Sequence, residues 1–199
     1  MKSRSSFLGY LIIFLSICLD SHCAGSALQV DASKISTDAA PSNHVQGFLN
    51  EAVRLIPNFH AVNRDIFRSG RPTKEGVLAL KGMGIKTILS VQDYGLDKDD
   101  ADEERDWARE ANIQFFNVPM HGLKKPTTDQ INLALSRLSD PSNYPILVHC
   151  EKGSDRTGLV VASYHIKHDG WSLEKAKSDM YNFGHSHWLF WWDSVLDHI

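Results

Sequence analysis

The chain has 199 residues, of which 24 are Asp or Glu and 21 are Lys or Arg, a formal net charge of −3. That length suits one domain with a full hydrophobic core, and the mildly acidic balance excludes the basic footprint of a nucleic-acid binder. Three cysteines, Cys18, Cys23 and Cys150, are too few for the disulfide frameworks of small secreted domains.

The first residues read as an export signal. Lys2 and Arg4 make a basic start, Phe7 to Leu19 is an apolar run broken only by Gly9, Ser16 and Cys18, and Ala24, Gly25, Ser26 and Ala27 offer a cleavage site. The run is shorter than the roughly 18 apolar residues of a spanning helix. The expected boundaries are a signal peptide at 1–27, a linker or disordered lead-in at 28–45 rich in Ser, Ala and Asp, and a folded domain at 46–199. The exported product, periplasmic or secreted, would keep Cys150 as its one thiol. No internal disulfide is then possible, and no Cys/His cluster has metal-ligand spacing, so neither metal nor cofactor is expected.

Phe59 to Arg68 is expected to hold the first strands, ending at the Ser69-Gly70-Arg71-Pro72 turn. Thr73 caps a helix over Glu75 to Met83 that Gly84 closes. Ile85 to Val91 reads as a buried strand bounded by Gln92-Asp93-Tyr94-Gly95. The acids of Asp97 to Asp106 read as a solvated loop and helix start, and the helix continues to Ala111 with Trp107 and Ala108 inward. Ile113 to Val118 is a further strand. Thr128 is the expected cap of a helix over Asp129 to Leu138, where Ile131, Leu135 and Leu138 share a face. Pro145 to Val148 is a buried strand, and Leu159 onward is helical. Ser172 caps another helix, and an aromatic-rich helix, expected to pack on the core, ends the chain. Strands alternating with helices imply an α/β fold, a central mostly parallel sheet with helices on both faces.

Between one strand and its helix lies His149-Cys150-Glu151-Lys152-Gly153-Ser154-Asp155-Arg156-Thr157-Gly158, with Cys150 and Arg156 six positions apart. A strand that turns through a short loop into a helix is an anion cradle, because loop amides and the helix dipole supply positive partial charge. The same field favours the anionic form of a thiol at the loop's start. Arg156 can close over a phosphate with two parallel hydrogen bonds. These parts suit hydrolysis of a phosphate ester through a cysteinyl-phosphate, with Cys150 as nucleophile and Glu151, Lys152, Gly153, Ser154 and Arg156 around the anion. Thr157 is placed to hydrogen-bond the sulfur, and His149 to orient the Cys150 backbone.

At these residues the chain resembles the protein tyrosine phosphatase superfamily, in its atypical dual-specificity branch. Phe67 to Thr73, Leu80 to Ser90 and Phe115-Phe116-Asn117-Val118-Pro119 are similar to segments of plant and fungal members, so the resemblance runs from about Asn63 to the C-terminus. It implies a phosphatase fold and a general acid on the loop after Val118-Pro119. That loop, Met120-His121-Gly122-Leu123-Lys124-Lys125-Pro126, has no carboxylate at the expected place. Asp155, inside the signature as in myotubularins, is the preferred acid. Asp129 and His121 stay open as alternatives.

Lys152 in the signature loop and Lys124 and Lys125 on the adjacent segment, joined by Arg68 and Arg71 and with His121 at the rim, suggest a positive mouth on an acidic protein, which favours a multiply charged substrate. The resemblance points the same way, to inositol polyphosphates or phosphoinositide headgroups, a phosphorylated small molecule or lipid. A phosphotyrosine protein is the alternative, with Tyr94 or Phe116 as an aromatic wall. Sulfurtransferase chemistry is disfavoured by the Gly-x-x-Arg-Thr-Gly ending, and a silent phosphate-binding module by the presence of both Cys150 and Arg156.

Overall fold

The computed structural model describes residues 43–95 and 98–199. The signal expected at 1–27, and the lead-in up to residue 42, lie outside the described residues.

Five strands form one sheet: β1 (His60–Ala61), β2 (Ile66–Ser69), β3 (Thr87–Gln92), β4 (Gln114–Met120) and β5 (Ile146–His149). Their spatial order is β1-β2-β5-β3-β4, with β1 antiparallel to β2 and every other pair parallel. Alternation along each strand sends successive side chains to opposite faces. In β5, Ile146 and Val148 enter one apolar cluster and Leu147 the other. The near-continuous apolar runs of β3 and β5 follow from burial on both faces. This is the mostly parallel, doubly covered sheet that the sequence implies.

One face carries α1 (Asn43–Leu55), α2 (Lys74–Gly82) and α3 (Lys98–Glu110), and the other α4 (Thr128–Leu138), α5 (Asp155–Asp169), α6 (Leu173–Asn182) and a last segment, His187–His198. No helix was expected at α1. Leu49, Ala52 and Ile56 recur at helical spacing and are buried there, but a mid-helix Gly47 and polar neighbours mask the pattern.

Two expectations need correction. The cap of α4 is Thr127, not Thr128: Thr127 Oγ1 accepts from the Gln130 amide, and the Gln130 side chain accepts from the Thr127 amide at 2.9 Å. The reciprocal box needs its glutamine three residues after the cap, which only Thr127 satisfies. The C-terminal segment is a helix of the 3₁₀ type, kinked at Leu189. Of the aromatics expected to pack on the core, Trp192 does so, beside Leu189, Val195 and Leu196, whereas Trp188, Phe190 and Trp191 face outward.

The sheet register sets the site. Ser69 of β2 and Ser90 of β3 both pair with His149 of β5. Gly70, Val91 and Cys150 therefore stand side by side at the carboxyl edge, where ligands bind in sheets of this kind.

Candidate active site

Cys150 follows β5 directly and is 1% exposed. Residues 151–154 then bend into α5, whose first residue is Asp155. No amide of residues 151–156 donates to protein among the described residues, so the loop presents free N–H groups at a helix N-terminus. Arg156 is buried to 7% exposure, donates from Nη1 to the Met120 carbonyl at 3.3 Å and meets Glu151 at 3.6 Å. Thr157 is fully buried, and its Oγ1 makes no hydrogen bond among the described residues. The expected bond to the Cys150 sulfur is thus not formed in this state.

The loop's carbonyls are drawn backward by earlier parts of the chain. The Arg71 amide donates to the Glu151 carbonyl at 3.0 Å, and Asn58 Nδ2 and Arg68 Nη2 each donate to the Gly153 carbonyl at 3.1 Å. Gly153 has φ +75°, and a Cβ there would lie 2.4 Å from the Ser69 carbonyl carbon, so only glycine fits. With these carbonyls occupied behind, the amides are left for a ligand in front.

Arg68 and Arg71 do not serve the mouth. Arg68 is 1% exposed, 4.2 Å over the Phe183 ring and 3.8 Å from Asp179. Burial lowers its pKa to about 10, with Asp179 and then Cys150 opposing the shift, so it stays charged at neutral pH. Arg71 is bound at 2.6 Å by Asp100 and at 3.2 Å by Glu104. Arg68 becomes a buried structural cation and Arg71 a partly buried one because their strand and turn run beneath the loop.

Glu104 is the residue that sequence reasoning missed. Counted among solvated acids, it is instead fully buried, because it shares a helical face with Ala108 and Ala111. Tyr94 donates to Oε2 at 2.7 Å, and His149 Nε2 lies 2.7 Å from Oε1, close but outside hydrogen-bond alignment. The other His149 nitrogen lies 3.3 Å from the Cys150 carbonyl, the backbone contact expected of it. Burial alone would push the Glu104 carboxyl up. His149, Tyr94 and Arg71 outweigh burial and hold it below its ordinary value. The same burial, with Glu104 beside it, pushes the Tyr94 phenol up. Tyr94 is therefore no aromatic wall, and half-buried Phe116 packs under Arg137 at 4.6 Å.

The carboxylates at the edge are differently engaged. Asp155 Oδ1 accepts from the Ser186 amide at 2.7 Å and lies 3.3 Å from His185. Asp129 is exposed on the first turn of α4. Asp93, which the sequence reading used only as a strand boundary, stands near the site: its amide donates to the Met120 carbonyl that also receives Arg156. His121 is exposed and turned back on its own loop, accepting from the Leu123 amide at 3.0 Å. Lys124, Lys125 and Lys152 are exposed, with Lys125 reaching Ser194 at 3.2 Å. No three of the described His, Cys, Asp and Glu side chains are grouped as a metal would require.

A model of the tyrosine phosphatase family matches residues 54–188. Among curated proteins, the dual specificity protein phosphatase TpbA of Pseudomonas aeruginosa is 25% identical, over 67% of this chain and 58% of its own length. The inositol diphosphatase DSP5 of Arabidopsis thaliana is 32% identical over 62% of this chain and 61% of its own. The chain thus spans about three fifths of these relatives. Among solved structures, the Siw14 catalytic core superposes with a TM-score of 0.62 at 24% identity, covering 73% of this chain and 87% of that one.

Proposed function

Since the chain belongs to the tyrosine phosphatase family, we propose that it is a cysteine-dependent phosphatase acting on phosphate monoesters through a cysteinyl-phosphate. The observation that carries this reading is Cys150 buried at the start of a loop whose amides are free, with Arg156 of the same loop anchored to the Met120 carbonyl. The Cys150 thiolate attacks phosphorus and the ester P–O bond breaks. The departing oxygen takes a proton from a neighbouring acid, an aid worth roughly 10²–10⁴-fold. Amides and Arg156 hold the equatorial oxygens throughout. Water then attacks the phosphocysteine, gives its proton back to the same acid, and leaves orthophosphate and thiolate. Asp155 takes the acid role in this reading through Oδ2, since Oδ1 is already an acceptor.

Inositol polyphosphates or phosphoinositide headgroups are the preferred substrates. Lys124, Lys125 and Lys152 stand exposed on the loops bordering Cys150, and neither Tyr94 nor Phe116 is available as a phosphotyrosine wall. The named activity of TpbA favours a phosphoprotein as the second reading. Cys150→Ser should abolish orthophosphate release; undiminished release would overturn the mechanism. Specificity constants for inositol hexakisphosphate, phosphoinositides and phosphotyrosine peptides decide the substrate, and peptides ahead by orders of magnitude would reverse the preference. Export through the 1–27 signal belongs to the same proposal and is checked by the N-terminus of the mature protein.

A further inference from the structure

Three aromatic side chains crowd one surface of the C-terminal segment. Trp188, Phe190 and Trp191 are 56%, 67% and 41% exposed, and Trp191 touches both others, at 6.0 and 5.5 Å between ring centroids. Exposed apolar clusters of this kind mark interaction surfaces. The loop after β4 adjoins them through the Lys125–Ser194 hydrogen bond, and it adds Leu123, 63% exposed. The same loop begins at Met120, whose carbonyl holds Arg156, so the patch borders the mouth of the site.

The two segments that build this face carry charge of one sign. Residues 121–127 and 186–192 contain Lys124 and Lys125 and no carboxylate. The acids that follow in the segment are engaged elsewhere: Asp193 accepts from Tyr181 at 3.1 Å, and Asp197 pairs with Lys177 at 3.6 Å. In a chain of net charge −3 the positive character is local. Tryptophans beside lysines suit a bilayer interface, where indoles settle at headgroup depth and ammonium groups meet lipid phosphates.

We propose that Leu123, Lys124, Lys125, Trp188, Phe190 and Trp191 dock the protein on a lipid surface with anionic headgroups, the catalytic mouth facing the bilayer. Docking itself is independent of the phosphatase reading; only the benefit, access to a headgroup phosphate, rests on it.

The test is co-sedimentation of the mature protein with vesicles of phosphatidylcholine, alone or mixed with phosphatidylserine, a diester that the proposed chemistry does not cleave. The wild type should sediment with the mixed vesicles, and Trp188→Ser/Phe190→Ser should bind at least about tenfold more weakly. Both positions are mostly solvent-exposed, and p-nitrophenyl phosphate hydrolysis by the variant should match wild type. Absence of sedimentation with mixed vesicles, or equal binding by the variant, would overturn the proposal. So would a wild-type dimer that the variant dissolves without any vesicle binding, since the face would then join two copies. Vesicle binding without p-nitrophenyl phosphate turnover would sink the phosphatase reading and leave docking intact.

Discussion

Arg68 donates from Nη2 to the Gly153 carbonyl at 3.1 Å, from a position 1% exposed beneath the signature loop. A hydrogen bond from a charged donor to a buried carbonyl contributes about 1.5–3 kcal/mol, here against the cost of burying the guanidinium. Arg68→Met should therefore lower stability only slightly, by about 1 kcal/mol, while a loosened loop cuts kcat at least about tenfold. Urea denaturation and steady-state kinetics on p-nitrophenyl phosphate check both. Unchanged kcat would mean that Asn58 alone holds the carbonyl.

Glu104→Gln keeps the shape of the side chain and removes its charge from His149, Tyr94 and Arg71. A loss of roughly 1.5–3 kcal/mol is expected at neutral pH. The carboxyl is held below its ordinary value of 4.5 in the fold, so its stabilisation is complete above that pH and declines as pH falls toward the folded value. The variant should lack that acid-limb slope in a stability–pH curve, and an unchanged slope would refute the assignment.

Glu151 lies 3.6 Å from Arg156 with its side chain 63% exposed, so a bound phosphate must compete with it. An exposed ion pair is a weak competitor. Glu151→Gln should tighten inhibition by orthophosphate or vanadate by about two- to fivefold, read as a lower inhibition constant at fixed pH. Weaker inhibition would show that Glu151 helps hold the ligand instead.

Asp155→Asn should slow an alkyl phosphate far more than an aryl phosphate, because the aryl leaving group needs less protonation. Equal losses would identify Asp155 as a buttress for Ser186 and His185 alone. Asp93→Asn run beside it should behave as wild type, and a selective alkyl loss there would move the acid to the end of β3.

His185 is 2% exposed, and burial lowers its pKa despite the opposing charges of Asp155 and Asp193. The unfolded chain then binds the proton more readily. Stability should fall as pH drops below 6.5, and the fall should end at the folded value. His60 is lowered too, by burial and then Arg68, so His185→Gln should remove only part of that slope. A slope unaltered between pH 7 and 5 would refute the reading.

The fold was legible because β3 and β5 are almost unbroken apolar runs, and because capping residues mark α2 and α6. The strand–loop–helix turn that carries Cys150, Gly153 and Arg156 was legible from their spacing and the apolar runs on either side. What escaped is tertiary in origin. Glu104 looks like its acidic neighbours until the helix is wound and its face meets Ala108 and Ala111. Arg68 and Arg71 look like mouth residues until the register carries their strand under the loop. The α1 pattern was diluted by Gly47, and Asp93 reaches the site only because β3 lies beside β5.

Residues 57, 58, 68, 70 and 71 hold the signature loop or the turn under it from one side, and Ser186 holds Asp155 from the other. A polypeptide still leaving the ribosome, with its sulfur and guanidinium already made, has none of the turn that Asp155 grips. In the proposed reaction, competence must therefore wait until Ser186 has been added, and truncation before it should yield an inert thiol.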